Sequence, residues 1–113
     1  MSNVIEVHSL QVLLGLILSH PITIVDFAAE SWCVPCQQFK PHFDAVSTLH
    51  PDVGFVHVDV DSADVDLLAH FSIQSVPMVL WFNGSFLVGA IESRTAPALA
   101  REIQLLTTPA EVV

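Results

Sequence analysis

Residues 31–41 read S-W-C-V-P-C-Q-Q-F-K-P and contain both cysteines of the chain, Cys33 and Cys36. Such a CxxC pair occurs in zinc sites, in small structural disulfides and in redox centres. Before the pair, residues 22–27 form an almost continuous β-branched and aromatic run, and after it apolar residues recur at helical spacing. The stretch is therefore predicted to join a buried strand to the start of a helix.

Predicted strands and helices alternate along the rest of the chain. Strand-like apolar runs occupy residues 3–7, 22–27, 53–60, 77–82 and 85–91. Helices are expected through residues 10–17, 37–49, 67–71 and 95–106. This order predicts an α/β fold with a five-stranded mixed sheet flanked by four helices, in a single domain spanning residues 1–113.

Several local features of these elements are predicted from single residues. Ser9 is expected to cap the first helix, Asp61 or Ser62 the third and Thr95 the fourth. Pro41 is expected to kink the second helix. The buried face of that helix is predicted to consist of Phe39, Phe43, Val46 and Leu49. Asn83-Gly84 is a hairpin signal.

The charge of the chain restricts its partners. Twelve acidic residues against three basic ones give a formal net charge of −9. We therefore expect no binding to nucleic acid or to an anionic membrane. The longest apolar run, residues 12–18, is far shorter than the roughly 20 residues of a membrane span. No basic residue precedes that run, which argues against a signal peptide, so a cytoplasmic location is expected. The chain is also expected to be a monomer.

A redox role is the favoured interpretation of the cysteine pair. Zinc needs four ligands, and the chain has no third cysteine and no histidine pair at finger spacing, so neither a metal nor another cofactor is expected. A disulfide that closes so small a loop adds little stability. At the start of a helix, Cys33 would face unpaired N–H groups that favour an exposed thiolate, while Cys36 would point inward.

Three other features fit a redox site. Asp26 interrupts the apolar run before the cysteines, where a buried carboxyl would have a raised pKa and could accept a proton from a thiol. Pro77 follows Val76 before a strand, where a cis peptide bond would leave the backbone free to pair with an extended substrate. Trp32 is expected to be an exposed aromatic side chain beside Cys33.

These segments together resemble the thioredoxin family. The resemblance rests on V-D-F-A-A-E-S-W-C-V-P-C-Q-Q-F-K-P at 25–41, V-D-V-D at 58–61, S-I-Q-S-V-P-M-V-L-W-F-N-G at 72–84 and V-G-A at 88–90. It implies the thioredoxin fold. It also implies that Cys33 is the nucleophile, Cys36 the resolving thiol, Asp26 the buried proton acceptor and Pro77 a cis-proline beside the disulfide.

The resemblance further implies a substrate-binding surface and a set of partners. The surface would comprise Trp32, Val34, Pro35, Val76, Gly89 and Ala90. The partners would be disulfide-containing proteins and an NADPH-dependent thioredoxin reductase. The expected function is protein-disulfide reduction. A disulfide oxidase or isomerase, and a non-enzymatic interaction subunit, remain alternatives.

The sequence departs from the family pattern near the site. Ala28 replaces a large aromatic residue, and one extra residue separates Asp26 from Cys33. His57 lies where a lysine commonly partners the buried aspartate, so we expect the charge beside Asp26 to vary with pH. The alternative is that His57 is simply a partly buried strand residue. Val34-Pro35 stands between the cysteines in place of the common Gly-Pro.

Overall fold

The computed structural model describes residues 2–107. Its elements are β1 (Ile5–Glu6), α1 (Leu10–Ser19), β2 (Ile22–Ala28), α2 (Val34–Ser47), β3 (Val53–Asp59), α3 (Val65–His70), β4 (Met78–Asn83), β5 (Phe86–Ala90) and α4 (Ala96–Thr107). The predicted order, with a five-stranded mixed sheet and four helices, is confirmed. Within residues 2–107, no helix is both long enough and apolar enough to cross a bilayer.

The sheet has the strand order β1-β3-β2-β4-β5. The central strand β2 pairs in parallel with β3 and antiparallel with β4. Successive side chains of a strand point to opposite faces, so β2 contributes to two cores. Val25 and Phe27 pack on the side of α1 and α3, whereas Ile24 packs against Phe39 and Phe43 of α2. The alternation therefore places Asp26 on the α2 side of the sheet.

Local sequence signals located the first helix and the hairpin correctly. The Ser9 side chain accepts a hydrogen bond from the backbone N–H of Val12 at 3.2 Å, which confirms it as the cap of α1. Gly84 has a φ of 58°, a left-handed conformation that glycine adopts without steric cost, between β4 and β5. Pro41 lies inside α2, as predicted, although its kink stays a prediction.

Other boundaries differ from the predictions. β1 is limited to two residues, and α2 begins at Val34 and ends at Ser47. Leu49 consequently lies beyond the helix and is exposed, so its prediction as a core residue was wrong. Neither Asp61 nor Ser62 caps α3, because that helix begins after Asp64, whose backbone N–H donates to the carbonyl of His8 at 2.9 Å. A contact between distant parts of the chain fixes this helix start.

Candidate active site

The two cysteines lie at the junction between β2 and α2, as predicted. They form a disulfide with a Cα–Cα separation of 5.2 Å. Cys33 is the N-cap of α2, and its Sγ accepts a hydrogen bond from the backbone N–H of Cys36 at 3.2 Å. Pro35 lies in the first turn, where its missing N–H costs nothing. A reduced Cys33 sulfur at this position would be stabilised as a thiolate by the N–H groups and the helix dipole.

Cys33 is less accessible than predicted, whereas Cys36 is buried as expected. Cys36 is fully buried, in agreement with the expectation that it points inward. Cys33 is only 5% exposed, which corrects the expectation of an exposed nucleophile. Both pack with Ala28 and Ala29 from the end of β2, against the partly buried Val76. The sequence could not reveal this packing, because it depends on how the strand end and the Val76 loop meet.

An exposed aromatic residue borders the cysteine pair. Trp32 is 63% exposed, as predicted, and its Nε1–H donates to Asp61 Oδ2 at 3.0 Å. The Ser31 hydroxyl donates to the same oxygen at 3.1 Å. Asp61, which the sequence suggested only as a helix cap, therefore orients the loop before Cys33.

A groove with a volume of about 420 Å³ lies beside Trp32. It is lined by Trp32, Val60, Leu68, Ile73, Gln74, Ser75 and Val76. The Val76–Pro77 peptide bond is cis, as predicted. Pro77 lines a second groove together with Pro35, and Val34 is an exposed residue of the first turn of α2.

Gly89 and Ala90 lie apart from this groove. They belong to the edge strand β5, where they pair with Trp81 and Leu80 of β4, and neither lines the groove beside Trp32. Their role in substrate binding stays a prediction.

Asp26 is a buried carboxyl without a hydrogen-bond partner. Its side chain is fully buried, and neither oxygen has a partner within residues 2–107. Burial raises the pKa of Asp26 from 3.8 to about 7, against the opposing effects of His57, Arg94 and Lys40. A carboxyl with this pKa can both accept and release a proton near neutral pH.

His57 lies beside Asp26, as the sequence suggested, and it is almost completely buried. Its Nε2 is 4.0 Å from Asp26 Oδ2 and 2.7 Å from Glu30 Oε1, and its Nδ1 is 2.8 Å from Glu6 Oε2. Burial lowers the pKa of His57, but the hydrogen bond with Glu6 and the charges of Asp26 and Glu6 outweigh it, so the pKa is raised above 6.5.

Glu6 and Glu30 were not identified from the sequence. Glu6 and His57 are register partners on β1 and β3, and no local pattern in the sequence signals that pairing. Asp26, Glu30 and His57 lie close enough together to resemble a metal-ligand set. Both ring nitrogens of His57 are, however, already hydrogen-bonded to Glu6 and Glu30, so we interpret the cluster as a pair of His57–carboxylate hydrogen bonds with the unbonded Asp26 carboxyl beside it.

Comparisons with known proteins agree on one family. A family model described as thioredoxin matches residues 10–105. Thioredoxin-3 of Dictyostelium discoideum is 40% identical over 86 residues, which cover 75% of this chain and 80% of the relative. Thioredoxin of Ophiophagus hannah is 34% identical over 64 residues, covering 57% of this chain and 59% of the relative. This chain thus spans about half to three-fifths of the length of the first curated relatives that it matches.

A solved structure supports the same assignment. The oxidised form of mitochondrial thioredoxin 3 from Saccharomyces cerevisiae superimposes with a TM-score of 0.77 at 28% identity, covering 89% of this chain and 93% of that one. The cysteine pair at the start of α2, the cis Val76–Pro77 bond and the buried Asp26 lie within the matched residues. The chain therefore belongs to the thioredoxin family.

Proposed function

We propose that this protein is a protein-disulfide reductase that works through reversible oxidation of Cys33 and Cys36. The observation that carries the proposal is the position of Cys33 as the N-cap of α2, with the backbone N–H of Cys36 directed at its sulfur. This environment favours a thiolate, which is the form that attacks disulfides. The buried Cys36 is the near neighbour needed to close the cycle.

The reaction proceeds in two exchanges. The Cys33 thiolate attacks one sulfur of a substrate disulfide, and the other substrate sulfur leaves as a thiolate. Cys36 then loses its proton to the Asp26 carboxylate and attacks Cys33 Sγ, which releases the second substrate thiolate. The substrate gains two electrons and leaves as two thiolates, which take up protons from solvent. The Cys36 proton stays on Asp26, and the protein is left with the Cys33–Cys36 disulfide.

Substrate docking is proposed for the surface around the cysteines. Trp32 and Val76 line the apolar groove, and Val34 is exposed beside it. The backbone of Val76, held beside Pro77, would pair with an extended peptide. Because Cys33 itself is nearly buried, a substrate has to seat closely in this groove before exchange.

An NADPH-dependent thioredoxin reductase is the proposed source of electrons, and electron transport between that enzyme and disulfide-containing proteins is the proposed task. Such a task implies a reducing compartment such as the cytoplasm. Two other roles, a disulfide oxidase or isomerase and a non-enzymatic interaction subunit, are the alternatives to be tested.

The first experiment is to measure the reduction potential of the Cys33–Cys36 pair by equilibration in glutathione or dithiothreitol buffers. We expect a value near about −270 mV, which is that of thioredoxin itself, and a value of about −180 mV or above would favour an oxidase or isomerase.

A companion assay is insulin reduction, with Cys33→Ser and Cys36→Ser variants as controls. An interaction subunit would keep its biological role after both substitutions, whereas a reductase would lose it.

A further inference from the structure

A row of titratable side chains crosses three neighbouring strands of the sheet. Glu6 is the register partner of His57, and His57 is the register partner of Asp26. Side chains of register partners on neighbouring strands lie side by side on one face of a sheet. The row thus runs from the edge strand β1, through β3, to the central strand β2. The next partner of Asp26 is the apolar Val79 on β4, so the row ends there.

The proposed reductase cycle requires a route by which the buried Asp26 can exchange protons with solvent. Asp26 takes up a proton in each cycle and has to lose it again, yet its carboxyl is fully buried and has no hydrogen-bond partner within residues 2–107. The Glu6 side chain is 51% exposed and that of Glu30 is 30% exposed, so both reach solvent. His57 lies between these two carboxylates and Asp26.

We propose that His57 carries protons between Asp26 and solvent, with Glu30 as the exit and Glu6 holding the other ring nitrogen in place. This inference rests on the proposed reductase function, because it explains how the base of that reaction is regenerated. The charged groups that face the pair are Glu6 from β1, Glu30 from the segment after β2, and at longer range Lys40 on α2 and Arg94 before α4. The last two influence Asp26 through charge alone.

The transfer conserves protons at every step. The relay starts from a doubly protonated His57, which would donate to the carboxylate on each ring nitrogen. The Nε2 proton passes to Glu30, which releases it to solvent, and the vacated Nε2 accepts the proton of Asp26. His57 returns to its starting state and Asp26 becomes a carboxylate again. The 4.0 Å gap between Nε2 and Oδ2 has to close by about 1 Å for this last transfer.

The test is to measure how fast Asp26 exchanges its proton, by ¹³C NMR of its carboxyl in the oxidised protein with a chelator present. In the wild type we expect one averaged signal that moves with pH. In the His57→Gln variant we expect exchange at least about tenfold slower, seen as broadening or as two separate signals. Imidazole added to a His57→Ala variant should restore fast exchange.

The control is a His57→Lys variant, which keeps a positive charge near Asp26 but whose ammonium group, with an ordinary pKa of about 10.4, does not readily give its proton to Glu30. If His57→Lys restores the Asp26 titration midpoint but leaves exchange slow, the relay is supported. If it restores both, or if His57→Gln exchanges as fast as the wild type, the relay is overturned and His57 acts through its charge or packing.

The same proteins separate this inference from the proposed function. The NMR measurement needs no turnover, whereas insulin reduction by the wild type tests the reductase itself. An active wild type with unchanged exchange in His57→Gln would overturn the relay alone. An inactive wild type would overturn the proposed function.

Discussion

The buried carboxyl of Asp26 lowers the stability of the folded protein when it is ionised, although the proposed reaction uses it as a proton acceptor. Its carboxyl has no hydrogen-bond partner within the described residues, and its pKa is raised to about 7. Between about pH 4 and pH 7, the Asp26 carboxyl is therefore protonated in the native state but already ionised in the unfolded chain. The contribution of Asp26 to the free energy of unfolding therefore falls as pH rises through this range.

We expect Asp26→Asn to stabilise the protein at pH 8, with an upper bound of roughly 4 kcal/mol, and to have little effect at pH 4. The reason is that an amide avoids the cost of ionising a buried carboxyl. Urea unfolding at several pH values is the measurement. His57, whose pKa is also raised, loses its stabilising contribution as pH rises above 6.5, so the wild type should decline in the same direction. An equal effect of the substitution at pH 4 and pH 8 would contradict the assignment of a raised pKa.

Trp32 is a large exposed aromatic residue that lines the groove beside the cysteines, which suggests a role in substrate binding. We expect Trp32→Ala to lower kcat/KM for insulin reduction roughly tenfold through a higher KM, because an exposed aromatic residue is a typical binding hot spot. Reduction of the small disulfide dithionitrobenzoate should change little.

Phe86→Ala is the matched control, since Phe86 is 70% exposed but lies on β5 rather than in the groove. Equal losses in the two variants would argue against docking at Trp32.

At the scale of elements, α2 and α4 are joined by a capping interaction across the helix pair. The backbone N–H of Ala96, at the start of α4, donates to Nδ1 of His42 on α2 at 2.8 Å. The predicted cap Thr95 contributes its backbone carbonyl, which accepts from Leu99 N–H. His42 was not identified as a cap, because the interaction spans 54 residues.

We expect His42→Ala to lower the free energy of unfolding by about 1 kcal/mol, as the loss of a helix cap typically does. His42→Asn retains a side-chain acceptor and should recover part of that loss. Chemical denaturation monitored by circular dichroism measures both. If Asn proved no better than Ala, the effect would come from packing of the ring.

Several features that depend on residues close together in the sequence were predicted correctly, whereas several that depend on contacts between distant residues were not. Ser9, the Asn83-Gly84 turn and the cysteine pair act within a few residues, and each was located correctly. The start of α3 was misplaced because the acidic run 59–66 offers several possible caps, and the long-range contact of Asp64 with His8 is not visible in the sequence.

The polar cluster in the sheet shows the same limit. Asp26 and His57 were linked through the family resemblance, but Glu6 and Glu30 were missed. Which side chains meet across β1, β3 and β2 is set by strand register, and register between parallel strands far apart in sequence is not written in any local pattern.

At the scale of the whole molecule, charge should govern the choice of partner. The chain has twelve acidic residues against three basic ones, and Asp61 lies beside Cys33 through its contacts with Ser31 and Trp32. We expect a cationic disulfide peptide to be reduced faster than an anionic one of the same length. The preference should shrink as salt is raised from about 20 to about 500 mM, because screening shortens the range of the field. A preference that survived high salt would point to specific contacts instead.

Cys33 is both the reacting residue and the cap of α2, and this double role links the chemistry to the backbone. Each change at its Sγ, from thiolate to mixed disulfide to internal disulfide, alters the acceptor that the Cys36 amide hydrogen meets. The environment of the Cys36 amide in the first turn of α2 therefore depends on the oxidation state of Cys33. The ¹⁵N–¹H resonance of Cys36 should report each stage of turnover in real time, without a probe attached to either sulfur.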